Sequence, residues 1–105
     1  MKISVIIVSY NVKDFICQCI RSVYRSDLKD EDYEIIVIDN DSHDNTINNL
    51  ENEFPNVKII KNEINEGFSK AVNKGYQISR GDYICILNPD VIIQNDTLSK
   101  LLKKT

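Results

Sequence analysis

Four short runs of apolar, largely β-branched residues alternate along this chain with stretches of helical spacing, and each run ends in a polar cluster. The runs are Ile3 to Val8, Glu34 to Ile38, Val57 to Lys61 and Asp82 to Leu87. Near-continuous apolar character, without the alternation of a half-exposed strand, marks strands covered on both faces. Between them the apolar positions fall three and four apart. Val12, Phe15, Ile16, Cys19, Ile20, Val23 and Tyr24 predict a helix ending near Asp27. Ile47, Leu50 and Phe54 predict a second, stopped by Pro55. Phe68, Ala71, Val72, Gly75 and Tyr76 predict a third, and Asp96 to Lys104 a short last one. A βαβαβαβ order calls for an α/β domain with a mostly parallel, twisted sheet and helices on both faces.

Right-handed crossovers limit how such a sheet can be wound. Lys58 and Lys61 interrupt the third run, and lysines commonly blunt an edge strand. The expected strand order is therefore 3-2-1-4, with the winding direction reversing between strands 1 and 4. Ligands in open parallel sheets bind outside the carboxyl ends of the strands at that reversal. Ser9-Tyr10-Asn11, Asp39-Asn40-Asp41 and Asn88-Pro89-Asp90 should converge there. Strand 4 is apolar on both faces yet takes the other edge without protecting charges. Such an edge recruits a further strand, from missing sequence, from a partner or second copy of the chain, or by aggregation.

The 105 residues suit one domain, and 42% hydrophobic against 28% charged content favours a folded chain. A formal charge of −3, without a basic stripe, argues against nucleic acid as a partner. No apolar run approaches a bilayer span, and Met1-Lys2-Ile3 leads straight into a strand, so the expectation is a cytoplasmic protein. Cys17, Cys19 and Cys85 suit free thiols in or beside the core, and Cys17 and Cys19 form no metal pair with His43, the only histidine.

With these pieces in place the chain resembles the nucleotide-binding half of a family 2 glycosyltransferase of the GT-A fold, a Rossmann-like arrangement. The resemblance lies in four stretches in order: Ser4 to Asn11, Glu34 to Ser42, Asn65 to Gly75 and Gly81 to Asp90. It covers nearly the whole chain and implies transfer of a sugar from a nucleotide-sugar donor to a glycan or lipid-linked acceptor hydroxyl. It makes residues 1–105 the donor-binding portion, with the acceptor platform and general base supplied elsewhere. It also implies a role in cell-surface polysaccharide synthesis, and peripheral attachment at the inner membrane face through missing sequence. Leu87-Asn88-Pro89-Asp90 looks like the rhamnosyltransferase-like branch, with Asn in place of the first Asp of the family's Asp-x-Asp position.

The resemblance assigns Asp90 to a divalent metal, Mg²⁺ or Mn²⁺. The chemistry agrees, because such ions need only one or two protein carboxylates beside substrate phosphates. The plainer alternative is an ordinary Asn-Pro-Asp turn. Asn88 takes the place of the family's sugar or ribose contact. Asp39, ending strand 2, can accept from a base N–H or ribose hydroxyl, and the resemblance gives it to the nucleotide. Its alternative is helix capping, for which Asp41, Ser42 and Asp44 are better placed. Ser9 and Tyr10 look like the segment beside the base, against the alternative of a strand-to-helix turn. Asn65 and Gly67 precede the third helix, where glycine allows close backbone approach and the helix end favours anions. Asn73 supports the site in the family, Lys70 suits solvent, and Asp96 stands too close to be the base. Two other classes are a non-catalytic docking module using strand 4, and a receiver-like signalling domain. The latter needs acidic residues after strand 1, where Ser9-Tyr10-Asn11 stands.

Overall fold

The structure, a computed structural model, describes residues 1–104. Strands β1 (Ile3–Ser9), β2 (Tyr33–Asn40), β3 (Lys58–Asn62) and β4 (Tyr83–Leu87) alternate with helices α1 (Lys13–Tyr24), α2 (Thr46–Glu53), α3 (Phe68–Ile78) and α4 (Thr97–Lys103). All pairings are parallel and the order is β3-β2-β1-β4, as the lysines of the third run predict. Alternate side chains supply the two faces. Ile3, Val5, Ile7, Ile35 and Val37 pack with Ile16 and Ile20 of α1, Leu50 of α2 and Leu98 of α4. Ile6, Ile36 and Ile38 pack with Ala71 of α3 on the other face. Each fully buried aliphatic side chain is worth roughly 1.5–3 kcal/mol, so the first face carries most of the stabilisation.

Most boundaries shift by a single residue, and two shift further. β2 runs two residues beyond the expected Ile38, because Asp39 and Asn40 pair with Ser9, Lys61 and Asn62 on either side. α1 ends at Tyr24 rather than near Asp27, since the Asp27 N–H donates to the Asn95 carbonyl and draws the chain out of the helix.

At the amino ends of the strands a closed polar cluster fixes the α3–β4 connection. Ser4 Oγ donates to Glu34 Oε2 (2.6 Å), the Arg80 N–H to the same oxygen (2.6 Å), and Lys58 Nζ to Glu34 Oε1 (2.8 Å). The Gly81 N–H donates to Ser4 Oγ (2.8 Å). A Cβ at Gly81 would stand 2.5 Å from the Ser4 nitrogen, so only glycine allows this approach. Burial raises the Glu34 pKa, but the hydrogen bonds from Lys58, Ser4 and Arg80 outweigh it and hold the carboxyl below its usual range. At the sheet edge, Tyr83 and Ile86 of β4 stay about half exposed (47% and 46%). No helix among the described residues is long and apolar enough to cross a membrane.

Candidate functional site

The ends of β1, β2 and β4 meet as topology requires. Ser9 pairs with Asp39 in register, and Ile7 with Leu87, which sets Asn88 and Pro89 beside the tail of β1. Hydrogen bonds stitch the first two loops together. The Asn11 N–H donates to Ser42 Oγ (2.9 Å), and the His43 N–H returns to Asn11 Oδ1 (2.8 Å). Asn11, Asp41 and Asn45 all adopt left-handed backbone, a conformation that Asn and Asp tolerate better than other non-glycine residues.

Asp39 is fully buried. Its Oδ2 accepts the Ser42 N–H (2.9 Å) and its Oδ1 the Ser42 hydroxyl (2.6 Å), so it shapes the β2–α2 loop. Helix capping falls to Asp44, whose Oδ2 accepts the first N–H of α1, from Lys13, while Oδ1 accepts both the N–H and the hydroxyl of Thr46. Burial raises the Asp44 pKa, and the hydrogen bonds from Thr46 and Lys13 overcome it and hold the carboxyl low. Ser42, expected as a cap, serves Asp39 instead. Asp41 lies 3.5 Å from the imidazole of His43, which is exposed.

Ser9 is fully buried beside Asp39, on the α1 face of the sheet, and its Oγ has no hydrogen-bond partner. An orphaned buried hydroxyl is costly, and only Ser26 Oγ shares that state among the described residues. Tyr10, next in the chain, is exposed.

Asn88 to Val91 form a turn closed by the Val91 N–H on the Asn88 carbonyl (3.1 Å). The turn reading and the ligand reading thus describe the same residues. Below it, the Cys19 thiol donates to the Asn88 carbonyl (3.8 Å). Burial, then the charge of Asp90, then Cys85 push the Cys19 thiol up to about 11, so it stays protonated and inert. Nothing in the sequence beyond helical phase places Cys19 there. Asn88 and Asp90 are exposed, and the Asp90 carboxylate joins no ion pair among the described residues. No three His, Cys, Asp or Glu side chains cluster as a metal site among those residues. A single free carboxylate on a tight turn is nevertheless the hard oxygen donor that Mg²⁺ or Mn²⁺ takes alongside phosphate.

Asn65 and Gly67 are exposed at the same carboxyl edge. Asn65 Oδ1 accepts the Gly67 N–H (2.9 Å), and Gly67 has φ +84°, with open space where a Cβ would stand. Sequence reasoning missed what holds this loop. Asn40 Nδ2 donates to the Gly67 carbonyl (3.2 Å), while its Oδ1 accepts the Glu66 N–H (3.3 Å) and Asn62 Nδ2–H (2.8 Å). The available signal was an asparagine closing each of two neighbouring strands. Asn73 is exposed and lines a groove with Phe68, Val72, Tyr76, Ile84 and Ile86. Lys70 is exposed on α3, and Asp96 pairs with Lys100 (3.0 Å) at the start of α4.

Comparison with known proteins decides what this edge belongs to. The sequence model of glycosyl transferase family 2 matches residues 4–105. The chain belongs to glycosyl transferase family 2. Within the family it is 34% identical over 102 residues to the poly(ribitol-phosphate) beta-glucosyltransferase of Bacillus spizizenii, covering 93% of this chain and 16% of that protein. It is 31% identical to the dolichol-phosphate mannosyltransferase of Pyrococcus furiosus, covering 98% of this chain and 30% of that one. The crystal structure of S. aureus TarS 1-349 in complex with UDP-GlcNAc superposes with a TM-score of 0.91 at 27% identity, covering 98% of this chain and 30% of that one. The fold is thus the GT-A nucleotide-binding half, and the chain spans a third or less of these relatives.

Proposed function

We propose that this chain forms the donor-binding part of an inverting, metal-assisted glycosyltransferase that builds a cell-surface polymer. The observation that carries the reading is the meeting of three strand ends, where an unpartnered buried hydroxyl (Ser9) lies near an exposed, unpaired carboxylate (Asp90). Tyr10 offers an exposed ring beside the nucleotide base, with Ser9 and Asp39 as the floor beneath it. Asn65, Gly67 and Asn88 line the approach to the sugar diphosphate.

In transfer, the bond between the anomeric carbon and the phosphate oxygen breaks, and its electron pair leaves with the nucleoside diphosphate. The acceptor oxygen bonds to that carbon and gives its proton to a base contributed outside residues 1–105. A divalent ion held by Asp90 would neutralise charge on the diphosphate. Asp90 would hold that ion at the turn, and the Asn88 amide offers hydrogen bonds to sugar or ribose hydroxyls. The relatives named for poly(ribitol-phosphate) and dolichol-phosphate fit a glycan or lipid-linked acceptor, on the cytoplasmic side and close to the membrane.

Calorimetric titration of the chain with UDP, GDP and dTDP, with and without Mn²⁺, tests this reading. The dTDP arm addresses the rhamnosyltransferase-like branch. Binding that requires Mn²⁺ and disappears in Asp90→Ala is the expected result. Metal-independent binding that ignores Asp90 would refute the assignment.

A second reading is a subunit-docking module. It is favoured by the open β4 edge, where Tyr83 and Ile86 continue into exposed Phe68 and Tyr76 of α3. Sedimentation equilibrium over a concentration series tests it. A chain that stays monomeric at the highest concentration removes self-docking, and self-association with no nucleotide binding favours this reading over the first.

A further inference from the structure

The loop before α3 is held by a closed ring of polar groups in which Lys74 donates into both arms. Lys74 Nζ donates to Asn62 Oδ1 (2.6 Å), Asn62 Nδ2 to Asn40 Oδ1 (2.8 Å), and Asn40 Nδ2 to the Gly67 carbonyl (3.2 Å). The Glu66 N–H donates to Asn40 Oδ1 (3.3 Å), and the Glu66 carboxylate closes the ring on Lys74 (2.9 Å). The direction is forced. An ammonium has donors only, so it draws the oxygen of Asn62 toward itself and turns the Asn62 NH₂ toward Asn40. Asn40 must then present its oxygen to Asn62, which leaves its NH₂ for Gly67. Flipping either amide sets oxygen against oxygen or NH₂ against NH₂. Asn40 and Asn62 are 3% and 2% exposed, so water offers little substitute.

What the ring holds is not self-sustaining. Gly67, with φ +84° and ψ 175°, sits in a region that glycine visits but that nothing local enforces. Its N–H is fixed by Asn65 and its carbonyl by Asn40. Lys74, two turns into α3 and 40% exposed, sets the hydrogen-bonding sense of a loop it does not touch through its backbone.

We propose that Asn40, oriented by Lys74 through Asn62, is a positioning residue that fixes the Glu66–Gly67 backbone in the shape that receives a nucleoside-diphosphate sugar. This rests on the donor-binding reading above. Removing the Lys74 ammonium frees the Asn62 amide to turn its NH₂ away from Asn40, whose sense is then held only by the Glu66–Gly67 backbone it is meant to fix, while leaving the core untouched, so Lys74→Met is the decisive variant. Asn40→Asp supplements it, since a carboxylate still accepts from Asn62 and Glu66 but cannot donate to Gly67.

Two readouts are taken on the chain: amide hydrogen exchange at Glu66 without ligand, and titration with whichever of UDP, GDP or dTDP the unaltered chain binds in Mn²⁺. In Lys74→Met, Glu66 exchange should rise about ten-fold and nucleotide affinity fall about ten-fold, the scale of one buried hydrogen-bonding group left unpaired. Lys74→Arg, which still only donates, should restore both, and a structural role in the fold alone would not move affinity at an unchanged unfolding midpoint. If the unaltered chain binds and Asp90→Ala does not, yet Lys74→Met binds normally, this proposal fails and the donor reading stands. If the unaltered chain binds none of the three nucleotides, both fall.

Discussion

The two ends of the same sheet treat polar groups in opposite ways. At the amino ends, Glu34 is buried and accepts from Ser4, Lys58 and Arg80, and Ser4 in turn accepts from Gly81. Its charge is matched, and the connection into β4 is locked. At the carboxyl ends, Ser9 Oγ is buried without a partner and Asp90 stands exposed and unpaired. Three non-glycine residues there take left-handed backbone. The β-pairing of Ser4 with Glu34 and of Ser9 with Asp39 belongs to the same β1–β2 ladder, so strand geometry does not explain the contrast. One end spends its hydrogen bonds on stability. The other satisfies Asp39, Asn40 and Asp44 but keeps Ser9 and Asp90 in reserve, which is what a binding edge requires.

The largest expected effect breaks the closed end. Glu34→Ala should lower unfolding stability by about 3 kcal/mol, since it strands the Ser4 hydroxyl and Arg80 N–H in a buried site. Urea denaturation measures it, and a loss under about 0.5 kcal/mol would mean water replaces the carboxylate without cost. The same group sets a pH dependence. Its carboxyl is held low in the folded state, so its stabilising share is complete above the ordinary glutamate range and is lost as pH falls through its lowered value. Asp44, also held low, adds the same sign. Denaturation at pH 7 and about pH 3 should show this fall, and Glu34→Gln should flatten part of it.

Asp90→Ala comes next and belongs to the open end. Because the carboxylate is exposed and pairs with nothing, stability should change by less than about 0.5 kcal/mol. Nucleotide affinity in Mn²⁺ should fall at least about ten-fold, or about 1.4 kcal/mol. A stability loss of the Glu34→Ala size would erase the distinction between the two ends.

The order of the strands was legible because it depends on patterns a linear sequence carries, namely apolar runs and the lysines of β3. Convergence of Ser9, Asp39 and Asp90 at the carboxyl edge followed from that order alone. The partners of these residues were not legible. Asn40, Asn62 and Lys74 are ordinary polar residues until register sets Asn40 opposite Asn62 and a helical turn brings Lys74 over them. Glu34 opens an apolar run like any strand-end charge, and only the return of the α3–β4 connection shows what it holds. Asp39 shows the limit from the other side. Its position at a strand end was readable, but the choice of Ser42 to satisfy both its oxygens depended on the left-handed turn at Asp41.

The smallest effect is also the sharpest separation of the two ends, because stability and binding should move in opposite directions. A buried hydroxyl without a partner has lost its water and gained nothing, so Ser9→Ala should raise stability by about 0.5–1 kcal/mol. At Ser4, equally buried but donating to Glu34 and accepting from Gly81, the same substitution should lower stability by about 1–2 kcal/mol. The two serines sit on one strand and differ chiefly in whether the fold satisfies them. Ser9→Ala should also weaken nucleotide binding about three-fold, the loss of part of one hydrogen bond, whereas Ser4→Ala should leave it unchanged. Parallel urea curves and titrations of the pair test the contrast directly. Equal destabilisation by both would mean that Ser9 has a partner within the chain, and the reserve at the carboxyl edge would shrink to Asp90 alone.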